Sequence, residues 1–197
     1  MNEEQLKELL LQSLEHERAG VKLYEAALKC ARNEDLKEEW EKYREETERH
    51  VQVLQDVFSQ LQLDPDEQTP GRRIVHDLGM ALVGAVEAAL GAGDPGAAQI
   101  QACECVVLAE SKDHLDWELI GEASRKLGGA PGKALKAACA EVEDQEDEHL
   151  YHTRGWCREL WLESLGMKSV LPPPEERRHV KTAIGAARAQ QARKAMR

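Results

Sequence analysis

Apolar residues recur at alternating three- and four-residue steps along four long segments of this chain. That spacing places them on one face of an α-helix, so each segment predicts a long helix with one buried stripe. The first helix is expected over residues 2–31, and Asn33, followed by two acidic residues, is typical of the cap of the second. Asp94 with a following proline opens the third helix, and Gly166 ends the fourth.

Composition agrees with an all-α chain, because β-branched and aromatic residues are too sparse to supply the strands of a sheet. The net charge of −11 repels nucleic acid. We counted no run of about 18 apolar residues, and the N-terminus lacks the basic and apolar regions of a signal peptide. These features predict a cytoplasmic protein with no membrane or nucleic-acid partner. Five cysteines without a Cys-x-x-Cys pair are expected to be reduced thiols.

The lengths of the connections determine how the four helices are arranged. A residue or two joins the first helix to the second, and a Gly-Gly-Ala-Pro turn at 128–131 joins the third to the fourth, so each pair forms an antiparallel hairpin. A crossover over residues 63–94 separates the hairpins and contains an amphipathic stretch that predicts a short helix. One long connection between the second and third core helices distinguishes this bundle from a simple up-down bundle.

The sequence divides into a helical bundle over residues 1–170 and a C-terminal tail over residues 171–197. The tail begins with an extended Leu-Pro-Pro-Pro spacer at 171–174. It then becomes basic, with seven Lys or Arg residues against two Glu residues. This basic helical tail is expected to dock on the acidic bundle, on a sister subunit or on another partner, or else to remain a solvated helix.

Metal-ligand side chains interrupt the apolar stripe of every core helix. Counting outward from each hairpin turn at about 1.5 Å per residue puts these side chains in one layer. Burying several carboxylates and imidazoles together costs several kcal/mol per ion unless a counter-charge is present, and a divalent metal supplies that charge. Glutamate and histidine suit iron or manganese, and this number of ligands suits two ions. The stripes carry Glu17, His50, Glu110, His114, Glu146 and His149.

This pattern resembles the ferritin-like di-iron and di-manganese carboxylate proteins, such as bacterioferritins and rubrerythrins. Those four-helix bundles take one Glu from each of two helices and a Glu-x-x-His motif from each of the other two. Residues 146–149 match one Glu-x-x-His motif, and Glu17 and Glu110 resemble the single glutamates. The resemblance covers residues 2–165 and implies a ferritin-like bundle with two iron ions per chain, or manganese, in preference to zinc.

The second helix departs from the family pattern. Thr47 stands three residues before His50, where the motif requires Glu. Glu46, one turn before His50, is the candidate for the missing carboxylate, although it lies nearer the edge of the stripe. His114 adds a nitrogen ligand that the family pattern does not require. The predicted metal ligands are therefore Glu17, Glu46, His50, Glu110, His114, Glu146 and His149.

The resemblance implies a metal centre that reacts with dioxygen or hydrogen peroxide, as a ferroxidase or a peroxide scavenger. The extra crossover helix and the tail favour a homodimer over a 24-subunit cage. Two other interpretations fit the same residues. One is a metal-free bundle that acts as an interaction module through its basic tail. The other is a redox-silent zinc site built from His50, His114, His149 and one Glu.

Overall fold

The chain folds as an all-α bundle in the computed structural model, which describes residues 1–196. Four long helices form the bundle, and a fifth, α3, lies in the crossover between α2 and α4. This architecture confirms the predicted ferritin-like fold class. The helices are α1 (Glu3–Leu28), α2 (Glu34–Leu61), α3 (Pro70–Gly91), α4 (Pro95–Lys126) and α5 (Gly129–Ser164).

The two helix starts that the sequence marked most clearly are capped as predicted. The Asn33 side chain accepts a hydrogen bond from the backbone N–H of Leu36 at 3.2 Å, and Asp94 accepts from Gly96 and Ala97 at 3.0 and 3.1 Å. These bonds satisfy N–H groups that have no partner inside the helix. The second and third of the four long helices therefore begin where their capping residues predict.

The crossover helix α3 is longer than the short helix predicted for this segment. It packs along α1 and α4, and at Gly79 the approach is so close that an added Cβ would lie 2.4 Å from Cβ of Ala19. Within residues 1–196, α3 is the one helix long and apolar enough by composition to cross a membrane, and 22% of that window is buried. This stretch has no uninterrupted apolar run of about 18 residues, because Asp77 and Glu87 lie among the valines, leucines and alanines that raise its mean hydropathy.

Two apolar clusters fill the bundle core, one on each side of a polar layer. The cluster near the α1–α2 turn includes Tyr24, Trp40 and Trp156, and the cluster toward the other end includes Leu10 and Phe58. Each fully buried side chain of this size stabilises the fold by about 1.5–3 kcal/mol. The polar layer is thus held between two packed apolar regions that exclude water from it.

The basic tail packs on the bundle of its own chain, which is one of the arrangements expected above. After a short helix α6 (Pro174–Arg177), the helix α7 (Ala183–Ala192) leads into a 3₁₀ turn at Arg193–Ala195. Arg193 is 4% exposed and donates to the fully buried Glu159 of α5 and to the carbonyl oxygen of Lys168. Arg158 forms a two-bond pair with Glu175, with both distances 2.8 Å.

Candidate metal centre

Two groups of metal-ligand side chains lie side by side in the polar layer. One group consists of Glu17, His50 and Glu146, and the other consists of Glu110, Glu146 and His149. Within each group the ligand atoms lie within 4.8 Å of one another, and every member is buried. Glu146 belongs to both groups. The layer therefore has the arrangement of two adjacent sites that share one carboxylate.

The inner atoms of these five residues are buried without hydrogen-bond partners in the part of the chain that the structure describes. His50 Nδ1 and Glu146 Oε1 lie 2.9 Å apart, but they lack the alignment of a hydrogen bond. Buried polar atoms are rarely left unsatisfied, because each one loses its hydration. This set of oxygen and nitrogen donors suits a divalent transition metal. The atoms are Oε2 of Glu17, Nδ1 of His50, Oε2 of Glu110, Oε1 and Oε2 of Glu146, and Nδ1 of His149.

Each histidine is oriented by a hydrogen bond on its outer nitrogen. His50 Nε2 donates to Oε1 of Gln145 at 2.8 Å, and His149 Nε2 donates to Oε2 of Glu46 at 2.9 Å. A proton fixed on Nε2 leaves the lone pair of a neutral imidazole on Nδ1, where it faces the carboxylates. Gln145, which the sequence did not single out, thus positions one predicted ligand.

The two terminal carboxylates are oriented by aromatic donors from the opposite helix. Trp117 Nε1 of α4 donates to Glu17 Oε1 at 2.7 Å, and the Tyr24 hydroxyl of α1 donates to Glu110 Oε1 at 2.8 Å. Each aromatic residue lies two turns after the glutamate of its own helix. Because α1 and α4 are antiparallel, the aromatic residue of each helix lies beside the glutamate of the other helix. In both cases one oxygen accepts a hydrogen bond and the other is buried without a partner in the described chain.

The structure brings five of the seven predicted ligands together and places the other two outside both groups. Glu46 lies on the outer side of His149, where its Oε1 is also 3.6 Å from Lys42 Nζ. His114 is partly exposed, and its Nε2 donates to Oδ1 of Asp147 at 3.0 Å. Both residues therefore contact other side chains and belong to neither group of ligand atoms.

Thr47 is the residue of α2 that stands where the family motif has a glutamate. The Thr47 hydroxyl donates to the carbonyl oxygen of Tyr43 at 2.8 Å, one turn back in α2. Its methyl group faces α1 at Gly20, where an added Cβ would lie 3.3 Å from Cγ2 of Thr47. The short side chain of Thr47 thus lies against a glycine where α1 and α2 come close together. The layer therefore has one shared carboxylate rather than two.

Asp113 is the acidic residue of the layer that the sequence analysis missed. It is 4% exposed, and its Oδ1 lacks a hydrogen-bond partner among residues 1–196. Burial, and then the charges of Glu146 and Glu17, raise the pKa of this carboxyl well above its usual range. Asp113 lies three residues after Glu110, a spacing that also follows the stripe of α4.

The crowding of charge changes the protonation of the shared ligand and its neighbour. Burial, together with the charge of Glu110, raises the pKa of Glu146 to about 7 despite the contact with His50. Burial alone would lower the pKa of His149, but the carboxylates of Glu110 and Glu46 raise it to about 9. Without a metal, the layer therefore holds protons at neutral pH to balance its negative charge.

A second polar cluster links the layer to the C-terminal tail. The Tyr43 ring lies 4.1 Å from the ring of His149, and its hydroxyl contacts Nδ1 of His152 at 2.9 Å. Glu39 accepts hydrogen bonds from Tyr43 and His152, and Trp156 Nε1 donates to Glu176 of the tail. Burial and the neighbouring Glu39 raise the pKa of Glu176 to about 9.

The fold and the buried Glu/His layer define a ferritin-like helical bundle whose side chains are able to hold metal. The chain belongs to the DUF892 family, a domain of unknown function associated with the ferritin-like fold, whose sequence profile matches residues 2–105. That match spans more than half of the chain and includes Glu17 and His50, whereas Glu110, Glu146 and His149 lie beyond it. No curated protein and no solved structure matches the chain.

Proposed function

We propose that this chain binds two metal ions, with iron as the metal, and reacts with dioxygen or hydrogen peroxide as a ferroxidase or peroxide scavenger. The observation that carries the proposal is the set of six buried donor atoms without partners within residues 1–196. Glu17 and His50 would hold one ion, Glu110 and His149 the other, and Glu146 would bridge them. Mixed carboxylate and imidazole ligands suit iron and manganese.

The surrounding residues support this chemistry by orientation and by exclusion of water. Trp117 and Tyr24 fix the terminal carboxylates, and Gln145 and Glu46 fix the imidazoles. The apolar clusters on both sides keep the layer dry, which strengthens every charge interaction in it. Ferrous ions bound in this layer would supply the electrons that reduce dioxygen or peroxide.

Anaerobic loading with Fe(II) is expected to give about two irons per chain, followed by a near-ultraviolet absorbance band on exposure to oxygen. Elemental analysis measures the first quantity and stopped-flow absorbance the second. Glu141→Gln is the matched control, because Glu141 is exposed on α5 and pairs with Arg49. Zinc at one per chain without iron uptake would contradict the proposal and support the redox-silent site.

Metal loading at pH 7 is expected to release protons, because a metal displaces protons from its ligands. In the metal-free protein at this pH, His149 holds a proton because its pKa is about 9, and Glu146 is about half protonated because its pKa is about 7. The apparent affinity should therefore increase as the pH rises from about 6 to about 8. Calorimetry in two buffers of different ionisation enthalpy measures the release. A buffer-independent heat with a pH-independent affinity would count against these ligands.

The structure gives less support to the alternative functions. The zinc site required His114, which pairs with Asp147 and belongs to neither group of ligands. The interaction module required an available basic tail, whereas Arg193 and Lys181 of the tail bind acidic residues of their own bundle. The homodimer and the cytoplasmic location remain predictions.

A further inference from the structure

A cavity of about 220 Å³ lies between α4, α5 and the start of α7. We call it the α4–α5 cavity. Its wall includes Glu146, the ligand shared by both groups, whose side chain is 2% exposed. Neither carboxylate oxygen of Glu146 has a hydrogen-bond partner within the described chain. The α4–α5 cavity therefore borders the residue common to both ligand groups, and the unpartnered carboxylate oxygens of that residue are buried behind the cavity wall.

The outer part of the α4–α5 cavity is acidic. Glu118 of α4 and Glu143 of α5 are exposed at its sides, and Asp147 is half-buried between them and Glu146. One histidine, His114, lines the same wall and donates to Asp147. Clefts lined by one sign of charge raise the local concentration of the opposite ion and its rate of association. These acidic residues form a series that extends from the solvent-exposed side of the cavity to Glu146.

We propose that the α4–α5 cavity is the route by which hydrated divalent cations reach the metal layer, with Asp147 as the transient ligand between solvent and Glu146. The inference rests on the proposed function, because it requires that the layer bind metal. Asp147 is adjacent to Glu146 in α5, and its Oδ1 is occupied only by His114 Nε2 at 3.0 Å among the hydrogen bonds described. A cation that displaces this contact moves next to Glu146.

The route is tested by the rate at which Co(II) alone enters the full-length protein, followed by stopped-flow visible absorbance. Asp147→Asn and the double variant Glu118→Gln/Glu143→Gln are expected to slow loading about tenfold with unchanged stoichiometry. Glu141→Gln, on the α2 side of α5, is expected to load at the wild-type rate. Added salt should slow the wild type more than the double variant, because screening weakens the same attraction.

The outcomes separate the route from the proposed function. A wild-type protein that binds no Co(II) overturns both. A wild type that binds two Co(II) per chain, with variants that load at the same rate, overturns the route alone. A lower stoichiometry in Asp147→Asn would make Asp147 a permanent ligand and also contradict the route. Because Glu118 and Glu143 are exposed, the double variant tests the route even if Asp147→Asn fails to fold.

Discussion

Glu146→Leu is expected to abolish the binding of both metal ions and every effect of metal on stability. Glu146 is the one residue common to both ligand groups, so its loss leaves each with a single carboxylate and a single imidazole. In the wild type, free metal at about a hundred times the dissociation constant stabilises the fold by about 3 kcal/mol. That gain corresponds to a rise in Tm of roughly 5–10 °C. The variant should show no rise.

The same variant is expected to be more stable than the wild type when both are metal-free. The substitution replaces a buried, poorly paired carboxyl group with an apolar side chain of similar size, and such replacements are often stabilising by about 1–4 kcal/mol. Thermal unfolding with and without Fe(II) or Co(II), with elemental analysis, measures both effects. Glu141→Leu is the control and should retain the metal response. A variant that still gains stability from metal would falsify Glu146 as the shared ligand.

Arg193→Ala is expected to detach the C-terminal tail and to lower the free energy of unfolding by about 2–3 kcal/mol. Arg193 is 4% exposed and Glu159 is fully buried, so the substitution removes one partner of a buried ion pair. Glu159 keeps Arg158 and the Val170 N–H as partners, which limits the loss. The loss should appear in urea-induced unfolding.

Limited proteolysis provides a second measurement of the same effect, because a detached tail is cleaved more readily than a docked one. Arg188→Ala is the matched control, since Arg188 is exposed on α7, the helix that leads into the turn of Arg193, and its loss should change stability by less than about 0.5 kcal/mol. If Arg193→Ala and Arg188→Ala unfold at the same urea concentration and are cleaved equally, the docked tail contributes nothing to stability.

Helix periodicity was sufficient to predict the fold and most of the layer. Asn33 and Asp94 cap the helices as expected, and the stripes placed Glu17, His50 and Glu146 at one height. These features depend on local backbone geometry and on a repeat of 3.6 residues, both of which can be read from sequence. The position of the tail was harder to predict, because its positive charge does not specify which acidic surface it contacts.

The remaining errors come from positions where the helical repeat allows two choices. A step of three residues from Glu110 reaches Asp113, and a step of four reaches His114, and these lie on either side of the stripe. The sequence analysis chose His114, whereas the folded bundle buries Asp113 and leaves His114 partly exposed. Glu46 and Thr47 present the same choice in α2. Tertiary packing decides it in each case.

The burial of Asp113 has a consequence for the redox balance of the proposed centre. With two divalent ions bound, the carboxylates of Glu17, Glu110 and Glu146 leave one positive charge uncompensated, because Thr47 carries none. The bound cations would favour the ionised form of Asp113, which would make the filled layer electrically neutral. Each oxidation to the trivalent state adds a positive charge beyond that balance. An ionised Asp113 would offset part of that added charge, so it would favour the trivalent ions and lower the reduction potential of the centre relative to a layer in which Asp113 stays protonated.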